Sequence, residues 1–390
     1  MTYILYLILA VISFRPLQSD QHPVHTIRMD PDNAMGGNVG DFFESVEFIP
    51  LETNPESLFG DIYKLQVTDD YLIIKDNETS SILLFNSTGK FHARIKQMHR
   101  DFTLDRDREE ILVLDSHSVS YYDFNGKLLR KVEIRKNISA LFMFGNGSFV
   151  LNKDRPLSHA KSPSIDYDLW YSSNLNDSIR TLFSYNPQFG IYDYNLPSYL
   201  FNDQGDGTCF YTFPYRYNIY ELDASGIRAE YRFVFPEKYS LPRGFDQDSL
   251  FYNKRKEYIF NPKNREDLYR FRALTPFFRH NEYILFNTNG RYFTLNNDLL
   301  YDLRTKSAYS LNRLTGDSIS YHLPILHAGS QQAMKGLYNG SLFTRIPAAA
   351  LVKLIDNVQK QGKDIGNELS GFLATADYKT NPVIIRSRFK

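Results

Sequence analysis

The sequence predicts an all-β fold, a six-bladed β-propeller of four-stranded antiparallel blades with short helical inserts. Its composition and two repeated patterns predict this fold. Aromatic residues make up 15% of the chain, with 28 Tyr and 30 Phe, and such residues favour pleated, half-buried strands. Repeats of about 40 residues are typical of propellers. The 390 residues are therefore expected to form one closed ring rather than several domains.

The first repeated pattern is a turn signal followed by a short run of apolar or aromatic residues. The first three copies start about 40 residues apart, the size of one four-stranded blade. Later copies lie further apart, so those blades are expected to carry insertions. The pattern occurs six times, which predicts six blades. The copies lie at 70–74, 110–114, 147–151, 207–211, 282–286 and 340–343.

The second pattern is an apolar strand, then Asn or Asp, two residues, Gly, and another strand. It occurs at 84–91, 121–128 and 221–227. Asn or Asp opens such a turn with its own side chain, and Gly adopts the positive φ that the turn needs. The pattern predicts a tight hairpin between the two outer strands of a blade.

Closure of the ring is the physical problem of a propeller, because an open ring leaves unpaired strand edges. Residues 45–51 read as a strand before the first blade, and residues 382–385 read as a strand near the end of the chain. We expect the N-terminal strand to complete the last blade beside the C-terminal one.

The N-terminal apolar run at 4–14 is too short to span a bilayer and is typical of a signal peptide. The predicted organisation is a signal peptide at 1–19, a flexible segment at 20–38 and the propeller at 39–390. The single cysteine is Cys209, so no cysteine lies directly after the apolar run. We therefore expect an exported protein, in the periplasm or on the cell surface, with no N-terminal lipid anchor and no membrane span after signal removal.

Insertions are expected in the later blades. A polar loop is predicted at 153–167. Short helices are predicted at 246–258 and at 347–360, where apolar residues recur at helical spacing.

Three segments carry a family resemblance: 43–53, 62–74 and 381–385. They resemble the signatures of exported six-bladed β-propeller proteins of Bacteroidetes, and the likeness covers about residues 39–390. The resemblance implies a shape related to NHL-type propellers and an extracytoplasmic location, but no particular activity. The chain departs from the family pattern at 96–101, where many members have a Gly-Pro-Gly-rich loop.

Composition excludes one class of partner. The chain has 45 Lys and Arg against 45 Asp and Glu, so no broad positive field attracts nucleic acid. No catalytic or nucleotide-binding motif occurs in the sequence. An acidic pair at Asp203 and Asp206 is expected to lie in a solvated turn.

Six residues are the candidate ligand-binding residues. Aromatic side chains can stack on sugar rings, although they could equally pack within their own blade. Arginines near the fifth blade could meet an anionic ligand or form surface salt bridges. The six are Tyr167, Trp170, Tyr171, Arg272, Arg279 and His280.

The leading functional hypothesis is a binding or scaffold protein, with a glycan, peptide or exported protein on one face of the ring near the channel. The alternative is a metal-dependent hydrolase or lyase, with zinc or calcium held in the channel by ligands from several blades. A third hypothesis is an adaptor that binds another exported protein. No cofactor is predicted.

Overall fold

The computed structural model describes residues 22–153, 166–185, 200–246, 248, 251, 269–290, 298–327, 333–377 and 379–390. The strands within these residues form six sheets, one for each blade of a ring. The predicted six-bladed propeller is confirmed. The bounds of its elements follow in chain order.

The N-terminal elements and the first two blades occupy residues 24–133. They are β1 (Val24–Arg28), β2 (Met35–Asn38), α1 (Val39–Phe42), β3 (Phe43–Pro50), β4 (Lys64–Val67), β5 (Tyr71–Asp76), β6 (Ser81–Asn86), β7 (Phe91–Lys96), β8 (Asp101–Asp105), β9 (Glu110–Leu114), β10 (Ser118–Asp123) and β11 (Leu128–Glu133).

Blades 3 to 6 follow. They contain β12 (Ile138–Met143), β13 (Phe149–Lys153), β14 (Asp166–Ser172), β15 (Arg180–Tyr185), β16 (Phe201–Asp203), β17 (Cys209–Thr212), β18 (Asn218–Asp223), β19 (Gly226–Val234), β20 (Ala273–His280), β21 (Tyr283–Asn289), β22 (Asp298–Asp302), β23 (Ser307–Thr315), β24 (Met334–Tyr338), β25 (Ser341–Ile346), α2 (Ala348–Lys360), α3 (Gly366–Leu373) and β26 (Val383–Phe389).

Blades 1 to 5 each take four consecutive strands, and the first of the four lies nearest the central channel. Their inner strands are β4, β8, β12, β16 and β20, and blade 6 has the order β24, β25, β26, β3. The six copies of the first sequence pattern all fall at the start of the second strand of a blade. The hairpin pattern is confirmed too: Gly89 has φ +83° and donates its N–H to Asn86 O (2.9 Å).

Alternating strand directions give the ring two faces. The turns that follow the first strand of every blade and the third strand of blades 1 to 5 lie on one face, which we call the hairpin face. The connections between blades lie on the opposite face, together with the turns that follow the second strands. Most of the insertions therefore begin and end on this opposite face.

The ring closes as predicted. Strand β3 pairs antiparallel with β26, with Ser45 opposite Arg388 and Pro50 opposite Val383. The first propeller strand thus becomes the outermost strand of the last blade. Blade 6 is built from the two ends of the chain segment that forms the propeller.

The side chain of Asn381 stabilises this closure by hydrogen bonds. Its side-chain amide donates to Glu52 O (2.9 Å) and Ser57 O (2.9 Å), and its carbonyl oxygen accepts from Phe59 N (3.4 Å). These partners lie in the connection from β3 to β4, so one buried side chain joins the end of the chain to the passage from blade 6 into blade 1.

The structure describes residues 22–38 of the segment 20–38, which the sequence predicts to be flexible, and these residues contain two strands. Strand β1 adds in parallel to the outer edge of blade 4 at β19, and β2 adds in parallel to blade 5 at β23. Ile27 of β1 is buried in the hydrophobic cluster between blades 4 and 5. The side chain of His25 stacks on Tyr231 (5.1 Å between ring centroids). Sequence patterns did not reveal this because β1 has only one buried side chain.

The hydrophobic core is divided among the six blade interfaces, with one cluster between each pair of neighbouring blades. The cluster between blades 5 and 6 also receives Leu351 and Ile355 of α2 and Leu369 of α3. The helix predicted at 347–360 is confirmed. The one predicted at 246–258 and the loop at 153–167 lie mostly outside the described residues.

We predict that Asn381→Ala destabilises the ring by about 2–4 kcal/mol, because it leaves buried backbone groups without partners. Urea unfolding followed by tryptophan fluorescence measures the change. Asn33→Ala is the control: Asn33 is exposed, so its loss should change the unfolding free energy by less than about 0.5 kcal/mol. Equal effects of the two substitutions would contradict the role given to Asn381.

Candidate functional site

The inner strands surround the channel with backbone edges that no neighbouring strand covers. Side chains from adjacent inner strands pair with many of these backbone groups. Leu141 N donates to Asp101 Oδ2 (3.1 Å), Phe277 N to Asn202 Oδ1 (3.3 Å), and Arg279 N to Gln204 Oε1 (3.0 Å). Polar residues are therefore required at the centre of an otherwise apolar ring.

A buried ion pair lies at the opposite-face end of the channel. Lys64 Nζ donates to Asp101 Oδ1 (2.7 Å) and to Phe102 O (2.7 Å), and both charged side chains are about 95% buried. Because Asp101 also accepts from Leu141 N, the pair joins blades 1, 2 and 3.

Arg106 closes the hairpin-face end of the channel. It belongs to the first turn of blade 2, but its guanidinium donates to Val67 O of blade 1 (2.6 Å) and Asp203 Oδ2 of blade 4 (2.8 Å). The same group lies 5.0 Å from the ring centroid of Tyr338 in blade 6. Blades 1 and 4 face each other across a six-bladed ring, so Arg106 spans the channel.

A small cavity of about 20 Å³ lies in the channel. Its polar lining is contributed by blades 1, 2, 4 and 6. Burial and the nearby Arg345 lower the pKa of Lys335 to about 7, against the opposing effect of Asp61 and Asp298. The polar lining residues are Lys64, Gln66, Arg106, Asn202, Asp203 and Lys335.

A larger groove of about 320 Å³ runs between blades 6 and 1 on the hairpin face. We call it the seam groove, because it follows the closure formed by β3 and β26. It reaches from the channel mouth, at Val67 and Tyr338, to the outer strand. Its lining includes Ser45, Glu47, Thr68, Asp69, Ser87, Tyr338, Asn339, Ser341, Arg386 and Arg388.

The polar groups of the seam groove form an ordered network. Tyr338 Oη and Asn339 Nδ2 both donate to Asp69 Oδ1 (3.1 and 2.9 Å). Arg386 pairs with Glu47, and Arg388 Nε lies 2.7 Å from Glu44 Oε1. The lining of two carboxylates and two guanidinium groups is electrically balanced.

The three predicted aromatic residues all lie on β14, the third strand of blade 3, away from the channel. Trp170 is half-buried, with Lys136 Nζ 4.7 Å from its ring centroid. Tyr171 is buried on the other side of the sheet and donates its hydroxyl to Gly226 O (3.2 Å). Neighbouring residues of a strand face opposite ways, so Trp170 and Tyr171 do not form one stacking surface. Tyr167 is half-buried.

The other three candidates lie around β20. Arg272 precedes the strand and Arg279 is near its far end, so they occupy opposite ends of the channel. Arg279 Nη1 donates to Tyr231 Oη (2.6 Å). His280 stacks on Phe389 (4.9 Å), and burial lowers its pKa. The six candidates therefore do not converge, and their role in binding stays a prediction.

Metal and thiol chemistry receive little support. Within the described residues, no group of three or more His, Cys, Asp or Glu side chains is arranged to hold a metal ion. Cys209 is fully buried, and burial raises the pKa of its thiol, so the reactive thiolate form is disfavoured.

Sequence reasoning missed the residues of the channel and seam groove. Asp203, expected in a solvated turn, is mostly buried and pairs with Arg106. One usable signal was present: Lys64 and Gln66 alternate with Leu65 and Val67 in a strand that is buried throughout. Such alternation places polar side chains together on one side of an inner strand.

The ring, its closure and the inter-blade core define the class as a six-bladed β-propeller. A family model described as a domain of unknown function, DUF4934, matches residues 24–387. The chain belongs to this family. No curated protein matches it.

Solved structures agree with the fold. The chain is similar to a protein of Bacteroides fragilis whose name describes it as exported by inference, with TM-score 0.68, 18% identity and coverage of 94% of this chain and 99% of that one. This likeness shows the same fold, and with the family match it confirms the predicted resemblance to exported six-bladed propellers. The relation to NHL-type propellers stays a prediction.

Two further similarities are weaker. The WD40 domain of Neurospora crassa Pan2 has TM-score 0.37, 12% identity and coverage of 92% of this chain and 98% of that one. The propeller domain of Myceliophteria thermophila Cps50 (Swd1) has TM-score 0.33, 9% identity and coverage of 62% and 65%. At these scores neither supports an argument about ligand or partner. Among the described helices, none has the length and apolar character needed to cross a membrane.

We predict that Lys64→Met destabilises the protein by about 3–5 kcal/mol, because it leaves the Asp101 carboxylate buried without its counter-charge. Adding Asp101→Asn should recover part of this loss, since the amide is neutral and its oxygen still accepts from Leu141 N. Urea unfolding of the two single variants and the double variant measures the coupling.

The matched control for this cycle is Lys131→Met. Lys131 lies 3.8 Å from Glu133, and both side chains are at least half exposed, so this loss should cost less than about 1 kcal/mol. Additive effects of Lys64→Met and Asp101→Asn would contradict a coupled pair at the channel.

Proposed function

We propose that the protein is a binding protein that works outside the cytoplasm and holds a glycan in the seam groove. The observation that supports this most is the groove itself: a polar cleft of about 320 Å³ that starts at the channel mouth and opens on one face of the ring. Its volume is at the lower end of the range typical of small-molecule sites.

The chemistry of the groove suits hydroxyl groups. A hydroxyl both donates and accepts hydrogen bonds, so a sugar needs acceptors and donors side by side. Asp69 offers carboxylate oxygens next to the amide of Asn339, and Arg388 offers planar N–H donors next to Ser45. Because Asp69 is already fixed by Tyr338, the acceptor is preorganised.

The charge of the groove favours a neutral ligand. Among the lining residues, Glu47 and Asp69 balance Arg386 and Arg388, and Glu44 beside Arg388 adds one negative charge at the edge. The groove therefore has no strong field that would attract a highly charged ligand. These charged side chains are also partly exposed, and a ligand can therefore reach them without unfolding the blade. A neutral oligosaccharide satisfies these conditions better than an acidic or basic peptide.

The prediction is that Tyr338→Ala and Arg388→Ala each weaken glycan binding at least tenfold, because each removes groups that line the groove. Glycan and peptide arrays identify the ligand, and titration of the best glycan gives the dissociation constant. Trp170→Ala, which alters blade 3 and leaves the groove intact, should bind as the unmodified protein does. Thermal unfolding confirms that each variant is folded.

Two results would contradict the proposal. Loss of binding in Trp170→Ala with unchanged binding in the groove variants would place the site in blade 3. Binding to peptides alone would overturn the glycan assignment and favour the peptide or exported-protein hypothesis.

A further inference from the structure

Tyr338 and Asp69 form the inner end of the seam groove, next to the channel mouth. Tyr338 Oη donates to Asp69 Oδ1 (3.1 Å). Burial and this hydrogen bond raise the pKa of Tyr338, so the hydroxyl keeps its proton near neutral pH and directs it at the carboxylate. A hydroxyl and a carboxylate both have further lone pairs, and the pair can therefore still accept hydrogen bonds from a sugar hydroxyl.

Arg106 contacts both the ring of Tyr338 and the strand that leads to Asp69. Its guanidinium lies 5.0 Å from the centroid of the Tyr338 ring. It also donates to Val67 O (2.6 Å), and Val67 ends β4 two residues before Asp69. Arg106 itself lies outside the lining of the groove. One side chain of blade 2 thus supports the hydrogen-bond donor of blade 6 and the acceptor of blade 1.

The turn after β16 in blade 4 packs against the same ring. A Cβ atom at Gly205 would lie 2.7 Å from Cδ2 of Tyr338, which is closer than Cβ atoms approach other atoms in proteins. Asp203 joins this turn to Arg106, because Oδ2 accepts from Arg106 (2.8 Å) and Oδ1 accepts from Gly205 N (2.8 Å). The close approach of this turn to Tyr338 therefore requires glycine at position 205.

We propose that Arg106 and Gly205 are positioning residues of the seam groove, which place the ring of Tyr338 so that its hydroxyl stays on Asp69. This inference rests on the proposed glycan site, and it extends that site from blades 6 and 1 to blades 2 and 4. A preorganised acceptor lowers the cost of ordering the site when a ligand binds. Loss of either contact should therefore weaken glycan binding, although neither residue lines the groove.

The first test is structural and needs no ligand. Gly205→Ala places a methyl group against the Tyr338 ring, whereas a Cβ at Gly207 would have Gly145 N as its nearest neighbour, at 3.8 Å. Both glycines have positive φ (+79° and +84°), so Gly207→Ala is a control with similar backbone strain. Crystal structures should show Tyr338 Oη displaced from Asp69 in Gly205→Ala alone. A Tyr338–Asp69 hydrogen bond that persists in Gly205→Ala would overturn the proposal.

The second test measures the dissociation constant of the best glycan from the arrays. We expect Arg106→Met and Gly205→Ala each to raise it about fivefold to tenfold, a loss that titration resolves easily. Arg108→Met is the control for the loss of charge, because Arg108 lies in the same turn with a side chain that is 69% exposed. This variant and Gly207→Ala should bind as the unmodified protein does. Unchanged affinity in Arg106→Met and Gly205→Ala would rule out a positioning role.

A double-mutant cycle separates positioning from a general loss of stability. Tyr338→Ala removes the ring that the new methyl group would meet, so adding Gly205→Ala to it should change the dissociation constant by less than about twofold. Effects of Gly205→Ala that are equal with and without the Tyr338 ring would contradict the proposal. Thermal unfolding of each variant confirms that binding is measured on folded protein.

The same set of variants distinguishes this inference from the proposed function. If no glycan binds in the seam groove, the proposed function is wrong, and the crystal structures of the two glycine variants still decide whether Gly205 positions Tyr338. If a glycan binds and the hydrogen bond between Tyr338 and Asp69 is the same in all variants, the glycan site stands and the positioning role is wrong.

Discussion

The structure depends on one constraint: six inner strands meet around an axis, and each has a backbone edge that no strand of a neighbouring blade covers. Unpaired backbone groups in a buried place are costly. The protein meets the constraint with side chains that reach from one blade to the next, such as Asp101 to Leu141 N and Asn202 to Phe277 N. Polar side chains at the centre thus satisfy the inner backbone edges, while apolar side chains pack the interfaces between blades.

This constraint explains how much the sequence could predict. The blade count, the hairpins and the joining of β3 to β26 depend on local turn chemistry and strand periodicity, which are readable along the chain. The pairing of Arg106 with Asp203 joins residues 97 positions apart, and no spacing rule relates them. Such pairings across the channel were therefore outside the reach of sequence patterns, although the fold was not, and only the alternation of Lys64 and Gln66 with Leu65 and Val67 pointed to the channel.

The aromatic candidates show that residues close in sequence need not form one site. Tyr167, Trp170 and Tyr171 are close in sequence and look like a cluster, yet a strand sends neighbouring side chains to opposite faces. The seam groove instead gathers Asp69, Asn339 and Arg388 from distant parts of the chain. Its existence follows from closure, because only there do the first and last propeller strands lie side by side.

The N-terminal strands divide the circumference of the ring into two unequal parts. Strands β1 and β2 cover the outer edges of blades 4 and 5. In blades 6, 1, 2 and 3, the outermost strands β3, β7, β11 and β15 have no further strand beside them among the described residues. β11 also exposes Leu128 and Leu129. A second chain that joined this protein by strand addition would find its free backbone on these four neighbouring blades, and any such assembly would be one-sided.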